Sequence, residues 1–212
     1  MRKIHLITPS IIGILLLFFN FAYGESAQYY YNWGVSCYEK GEYDEAISHY
    51  DKAIEIDPQK PEFYNNRGLA YKKKGNLSQA VADFSRAIET GSNYVDAYYN
   101  RGLIYIEEHN FDEAVSDYDK VIALNPRDAE AYYNRGLVYD NKSSFEEAAS
   151  DYKKATEINP GYAQAFQRLG AAYKSLGRRQ EARENLNKAL ELYRDQGRQS
   201  DLNDVLELLR GL

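Results

Sequence analysis

Five glycines, Gly34, Gly68, Gly102, Gly136 and Gly170, stand 34 residues apart with no insertion between them. The residues around them return in phase. Tyr98-Tyr99-Asn100-Arg101-Gly102-Leu103-Ile104-Tyr105 reappears as Tyr132-Tyr133-Asn134-Arg135-Gly136-Leu137-Val138-Tyr139, and one period earlier as Tyr64-Asn65-Asn66-Arg67-Gly68-Leu69-Ala70-Tyr71. Small residues keep the same register at Ala46, Ala80, Ala114, Ala148 and Ala182, and at Ala53, Ala87, Val121, Ala155 and Ala189. A large residue falls between them at Tyr50, Phe84, Tyr118, Tyr152 and Leu186. A fixed period of this length dictates an array of stacked, near-identical units rather than one irregular globule.

Each unit reads as two short helices. In the third, helix A is expected over 95–108 and helix B over 111–124. Gly102 and Ala114 would allow close approach, with Tyr105, Phe111 and Tyr118 filling the remaining space. Neither helix is long enough to be secure alone, so stacking must supply the core. Pro58, Pro126 and Pro160 end helix B in three units, because the ring and the missing donor disfavour continuation. In repeat length and in the in-phase Gly, Ala and aromatic positions, the chain resembles the tetratricopeptide repeat family. The resemblance covers residues 27–196, as five units: 27–60, 61–94, 95–128, 129–162 and 163–196. It implies an all-α fold, a right-handed superhelical α-solenoid of helix–turn–helix repeats. Residues 197–212 read as a final helix from about Asp201, N-capped by Ser200, with Leu202, Val205, Leu206 and Leu209 along one side. The expected role is a cap over repeat 5; the alternative is a dimerisation helix.

Residues 1–24 stand outside the array. Arg2 and Lys3 precede the apolar run Ile11 to Phe19, and Ala22-Tyr23-Gly24 offers small residues for cleavage. This is a secretory signal peptide by pattern; the alternative is an uncleaved membrane anchor over 4–23, although Pro9, Ser10 and Asn20 make the run short for a spanning helix. Export to a periplasm or the medium follows, with a bacterial source favoured by the small, cysteine-poor, repeat-only mature chain. Without Arg2 and Lys3 the chain holds 24 basic and 32 acidic residues, which argues against nucleic acid as a partner. Cys37 is the single cysteine, so no intramolecular disulfide forms; it reads as a buried small hydrophobe.

Repeats 2, 3 and 4 place Arg67, Arg101 and Arg135 before the glycine, where Trp33 and Leu169 stand in repeats 1 and 5. The same three repeats carry Asp83, Asp117 and Asp151, each 16 residues on, against His49 and Asn185 in the outer two. Arginine and aspartate thus appear and disappear together. Three intra-repeat ion pairs are expected, Arg67–Asp83, Arg101–Asp117 and Arg135–Asp151, since a charge in so packed a slot needs a partner; bridging to the adjacent repeat is the alternative.

The resemblance implies that helices A line a concave face where peptides or partner helices bind. Carried over by register, that face holds Tyr31, Val35, Tyr38, Asn66, Leu69, Asp96, Tyr99, Asn100, Leu103, Ile106, Tyr133, Asn134 and Leu137, with Asp140 and Ala171 at equivalent positions. Tyrosine supplies contact area at low entropic cost, and an asparagine can donate and accept toward a peptide backbone; the competing role of these residues is packing and bridging between helices. With Asp96 on the rim, a basic or apolar partner segment fits better than a carboxylate. No metal motif, phosphate-cradling loop or nucleophile elbow occurs. No enzyme activity, cofactor or metal is therefore expected. The sequence reads as a scaffold or assembly factor with an unidentified protein partner; the alternative is a structural protein forming homo-oligomers through its terminal faces.

Overall fold

A computed structural model describes residues 26–212; the signal and anchor readings lie outside the described residues. Every element in that range is helical: α1 Ala27–Lys40, α2 Tyr43–Ile56, α3 Pro61–Lys73, α4 Leu77–Thr90, α5 Val95–Glu107, α6 Phe111–Leu124, α7 Ala129–Asn141, α8 Phe145–Ile158, α9 Ala163–Ser175, α10 Arg179–Asp195 and α11 Gln199–Arg210. Odd-numbered helices from α1 to α9 are the A helices and even-numbered ones from α2 to α10 the B helices. The fold is all-α, built by consecutive helix–turn–helix pairing. It divides into two compact units, one ending at Ala97 and one beginning at Tyr98.

The periodic glycine exists because a helix B side chain lies on it. A Cβ at Gly34 would stand 2.6 Å from the Tyr50 ring, one at Gly136 2.7 Å from Tyr152, and one at Gly170 2.6 Å from Leu186. These are sub-van-der-Waals distances, so the A–B crossing requires glycine. The rings themselves are interior: Tyr50, Phe84, Tyr118, Tyr152 and Leu186 are at most 1% exposed, flanked by fully buried alanines or valine. Burying one such side chain contributes about 1.5–3 kcal/mol. Of the three side chains expected to fill the third unit, Tyr118 does so. Tyr105 and Phe111 are only partly buried, and the Tyr105 ring lies against the Arg101 guanidinium, 5.7 Å from its centroid.

The A-to-B turn is a Schellman closure. In repeat 1 the Glu42 N–H donates to Cys37 O at 2.9 Å and Gly41 N–H to Tyr38 O at 3.0 Å. The turn residue is left-handed, with φ of 81° at Gly41, 78° at Gly75 and 73° at Gly177; repeats 3 and 4 instead force His109 (59°) and Ser143 (57°) into it. Helix A of repeat 3 accordingly stops at Glu107 rather than at 108. Repeat 5 ends without proline, and its helix B runs on to 17 residues where the other B helices have 14.

The last helix starts earlier than its sequence suggests. Arg198 is the N-cap, without a side-chain cap bond, and its guanidinium forks onto Asp201 at 2.9 and 3.0 Å. Ser200 therefore lies inside the first turn rather than capping it. Leu202 and Val205 of α11 join Leu186, Ala189 and Tyr193 of α10 in one buried cluster, with Leu208 and Leu209 packed alongside. Lys174 of α9 donates to the Leu208 carbonyl.

Candidate functional site

The A helices carry the candidate face, and a pocket opens on it in each unit. In the first unit, Val35, Tyr38 and Glu39 of α1, Tyr50 of α2, and Asn66 and Leu69 of α3 enclose about 180 Å³. In the second, Leu137, Asp140 and Asn141 of α7, Phe145 of α8, and Arg168, Ala171, Ala172 and Ser175 of α9 enclose about 400 Å³. The two share a register. Val35, Tyr38 and Glu39 occupy the same repeat positions as Leu137, Asp140 and Asn141, and Asn66 and Leu69 the same as Arg168 and Ala171. The pocket is thus a product of the A–A junction, dressed differently in each unit.

In the first unit Tyr31 is wedged against Phe63 (ring centroids 5.0 Å) and Tyr50 (5.9 Å). Its hydroxyl accepts from Asn66 Nδ2 at 2.8 Å. Burial, followed by the Glu62 charge, pushes the Tyr31 phenol up, against the pull of the Asn66 hydrogen bond. Asp96 is exposed in the first turn of α5. In the second unit Asn134 Nδ2 donates to the Tyr99 hydroxyl at 2.5 Å, while the Tyr99 ring meets Tyr118 edge-on at 5.7 Å. Tyr133 packs between Tyr152 (5.7 Å) and Tyr162 (5.0 Å). Asn100, Leu103, Ile106 and Leu137 are partly exposed on the same helices, whereas Asn134 is 7% exposed. The amides of Asn66 and Asn134 therefore direct a donor into the repeat–repeat junction. Of the candidate residues, Val35, Tyr38, Asn66 and Leu69 line the first pocket, and Leu137, Asp140 and Ala171 the second.

Sequence reasoning passed over Arg168. The available signal was a broken column: Asn32, Asn66, Asn100 and Asn134 share one repeat position, and repeat 5 puts Arg168 there. Beside it, Asp140 accepts from the Tyr152 hydroxyl at 2.7 Å. Burial pushes the Asp140 carboxyl above the usual carboxylate range, countered by that hydrogen bond and by the Arg168 charge. The second pocket thus presents both a cation and an anion, while the first is mostly apolar, with the Asn66 amide and one acidic rim residue, Glu39.

Behind this face, each middle arginine grips helix B of its own repeat. Arg67 Nε and Nη2 donate to Asp83 at 2.8 and 2.6 Å. Arg101 does the same to Asp117 at 2.9 and 2.7 Å, and Arg135 to Asp151 at 2.8 and 2.7 Å. The remaining arm can reach the preceding repeat as well, as in Arg67 Nη1 to Asp51 at 2.6 Å and Arg135 Nη1 to Asp119 at 2.5 Å. The intra-repeat and inter-repeat arrangements coexist in one guanidinium. Burial pushes the carboxyls of Asp83, Asp117 and Asp151 up, and the bidentate arginine pulls them back. At two junctions a lysine adds to this: Lys74 pairs with Asp44 and Lys142 with Asp112. An asparagine–tyrosine bond, an arginine fork and a lysine–aspartate pair therefore recur as one joint, between repeats 1 and 2 and again between repeats 3 and 4.

Among the described residues no group of three or more His, Cys, Asp or Glu is placed to hold a metal ion. No curated protein matches the sequence. Solved structures do. A crystal structure of MamA shares 31% identity with a TM-score of 0.75, covering 83% of this chain and 96% of its own. MamA from Desulfovibrio magneticus RS-1 shares 27% identity with a TM-score of 0.75, covering 82% and 98%. YrrB, described as a TPR protein with an unusual peptide-binding site, shares 28% identity with a TM-score of 0.74, covering 89% and 94%. Family models described as TPR repeat match residues 34–75, 69–108 and 102–143, and models described as tetratricopeptide repeat match 129–162 and 163–196. The chain belongs to the tetratricopeptide repeat family.

Proposed function

We propose that this protein is a non-enzymatic scaffold that holds a peptide or helix of another protein against its A helices, outside the cytoplasm. The observation that carries this reading is the pocket that recurs in the same register in both units. A pocket lined by an apolar floor and one or two polar side chains suits a side chain of a bound segment. The family supports an interaction scaffold, and the peptide-binding site reported for YrrB lies on a related fold. In the first unit an apolar side chain flanked by a basic residue fits Val35, Leu69 and the Glu39 rim. In the second, Arg168 and Asp140 suit a polar or amphipathic residue. Export rests on the Arg2, Lys3 and Ile11-to-Phe19 pattern.

A peptide-display selection on the chain, followed by titration against Glu39→Lys and Arg168→Glu, tests the reading. Glu39 is exposed, whereas Arg168 offsets the half-buried Asp140 carboxyl, so parent-like helix content of each variant is confirmed before titration. Selected peptides should lose about tenfold or more in affinity for at least one variant. Peptides that bind both variants as tightly as the parent would place the working surface elsewhere.

A further inference from the structure

The two ends of the array differ. After repeat 5, α11 covers Leu186, Ala189 and Tyr193. Ahead of repeat 1, the described residues begin with α1, and its leading face stays open: Tyr29 is 41% exposed and Trp33 47%, their rings in edge-to-face contact at 5.6 Å. Exposure is not what positions in this register show elsewhere. Tyr29 is the counterpart of Phe63, Ala97, Ala131 and Ala165, all at most 1% exposed.

This open face also keeps the incoming half of the joint. Asn32 matches Asn66 and Asn134, which donate to a tyrosine hydroxyl of the preceding repeat. Lys40 matches Lys74 and Lys142, which pair with Asp44 and Asp112 of the preceding repeat. Among the described residues Lys40 has no ion pair, and the Asn32 side chain bonds only Gln28 of its own helix. Only the arginine of the joint is replaced: Trp33 takes its slot and stacks on His49, 4.8 Å and 16° from parallel, where an inner repeat has Arg on Asp.

We propose that the leading face of repeat 1 docks a repeat-like helix pair from a different protein, one that offers a tyrosine hydroxyl to Asn32 and a carboxylate to Lys40. The internal joints define that complement, Tyr31 with Asp44 and Tyr99 with Asp112. A second copy of this chain does not supply it from its trailing end: the corresponding positions there are Gln167 and Gln180, and α11 covers that side. The surface is separate from the A-helix pockets, so its failure and theirs are read independently.

Trp33 is the only tryptophan, which makes its emission a local reporter. The chain as its host produces it is titrated with a synthetic 34-residue probe of sequence Val95 to Asp128, which carries Tyr99 and Asp112 and no tryptophan. Saturable blue-shifted emission is expected, with helix content gained as the lone repeat orders on docking. A probe with Tyr99→Phe and Asp112→Asn should bind about tenfold more weakly, as should Asn32→Ala with Lys40→Ala in the chain. Absence of a shift overturns the proposal, as does equal affinity for the two probes. A blue shift that follows protein concentration without probe also overturns it, by showing that a second copy covers the face.

Discussion

His49 is the residue whose environment makes the sharpest statement. Its Nδ1 is buried without a hydrogen-bond partner, and its ring lies under Trp33 and beside Tyr30. Burial, aided by the Lys52 charge and opposed by Glu45, lowers its pKa below the ordinary 6.5. The folded state then binds fewer protons than the unfolded one just below 6.5, so stability falls as the pH drops from 6.5 through the lowered folded value. Trp33 emission should change with a midpoint below 6.5, and His49→Gln should abolish that step; a midpoint at or above 6.5 contradicts the environment described. His109 and Ser143 allow a second check. Both occupy the left-handed turn position where the other three repeats have glycine, a conformation that costs a Cβ-bearing residue about 1–2 kcal/mol. His109→Gly and Ser143→Gly should each raise stability by up to about 1 kcal/mol in urea unfolding, after the entropic cost of glycine. The sequence left His109 between helices A and B, and the signal of its left-handed dihedral was the in-phase column Gly41, Gly75 and Gly177, which repeats 3 and 4 interrupt.

At the scale of helices, two contacts fix how A and B meet. Gly136→Ala places a methyl 2.7 Å from the Tyr152 ring, and that ring is enclosed on all sides with its hydroxyl held by Asp140. Overpacking of this kind should cost about 1–3 kcal/mol, read from the urea midpoint; a neutral outcome would mean the crossing is loose. Asp151→Ala leaves Arg135 without its bidentate partner and should cost about 2–3 kcal/mol, while Asp119→Ala, at an exposed carboxylate, should cost less than about 1 kcal/mol. The close A–B approach was legible because glycine and a large side chain recur in phase. So was the 16-residue offset at which arginine meets aspartate. The second arm of the arginine was not, since Asp51 and Asp119 sit among many surface carboxylates and only the fold selects them. Ser200 misled for a related reason: a good cap residue was present, but Arg198 with its fork onto Asp201 let the helix begin earlier.

Across the whole molecule, periodicity disclosed the family and the pairing of helices, because a 34-residue repeat leaves little freedom in how its buried alanines and aromatics can stack. It placed Val35, Tyr38, Asn66, Leu69 and Leu137 on the face where the pockets lie, but not Arg168. Tyr31, Tyr99, Asn66 and Asn134 share the candidate face, yet their polar atoms bond each other, and Arg168 enters a pocket only through the one repeat that departs from the pattern. Divergence between repeats is what makes the two pockets differ, Asn66 and Leu69 lining the first where Arg168 and Ala171 line the second. Export belongs at this scale too. Cell fractionation with N-terminal sequencing should recover, outside the cytoplasm, a chain beginning at Glu25; recovery of the uncut chain in membranes would favour the anchor over 4–23 instead. Hydrogen–deuterium exchange of the chain with and without a selected peptide tests whether the A helices hold it. Slowed exchange is expected in α1 and α3 around Val35 and Leu69, or in α7 and α9 around Leu137 and Arg168. Protection confined to the B helices, with the A helices unchanged, would contradict it.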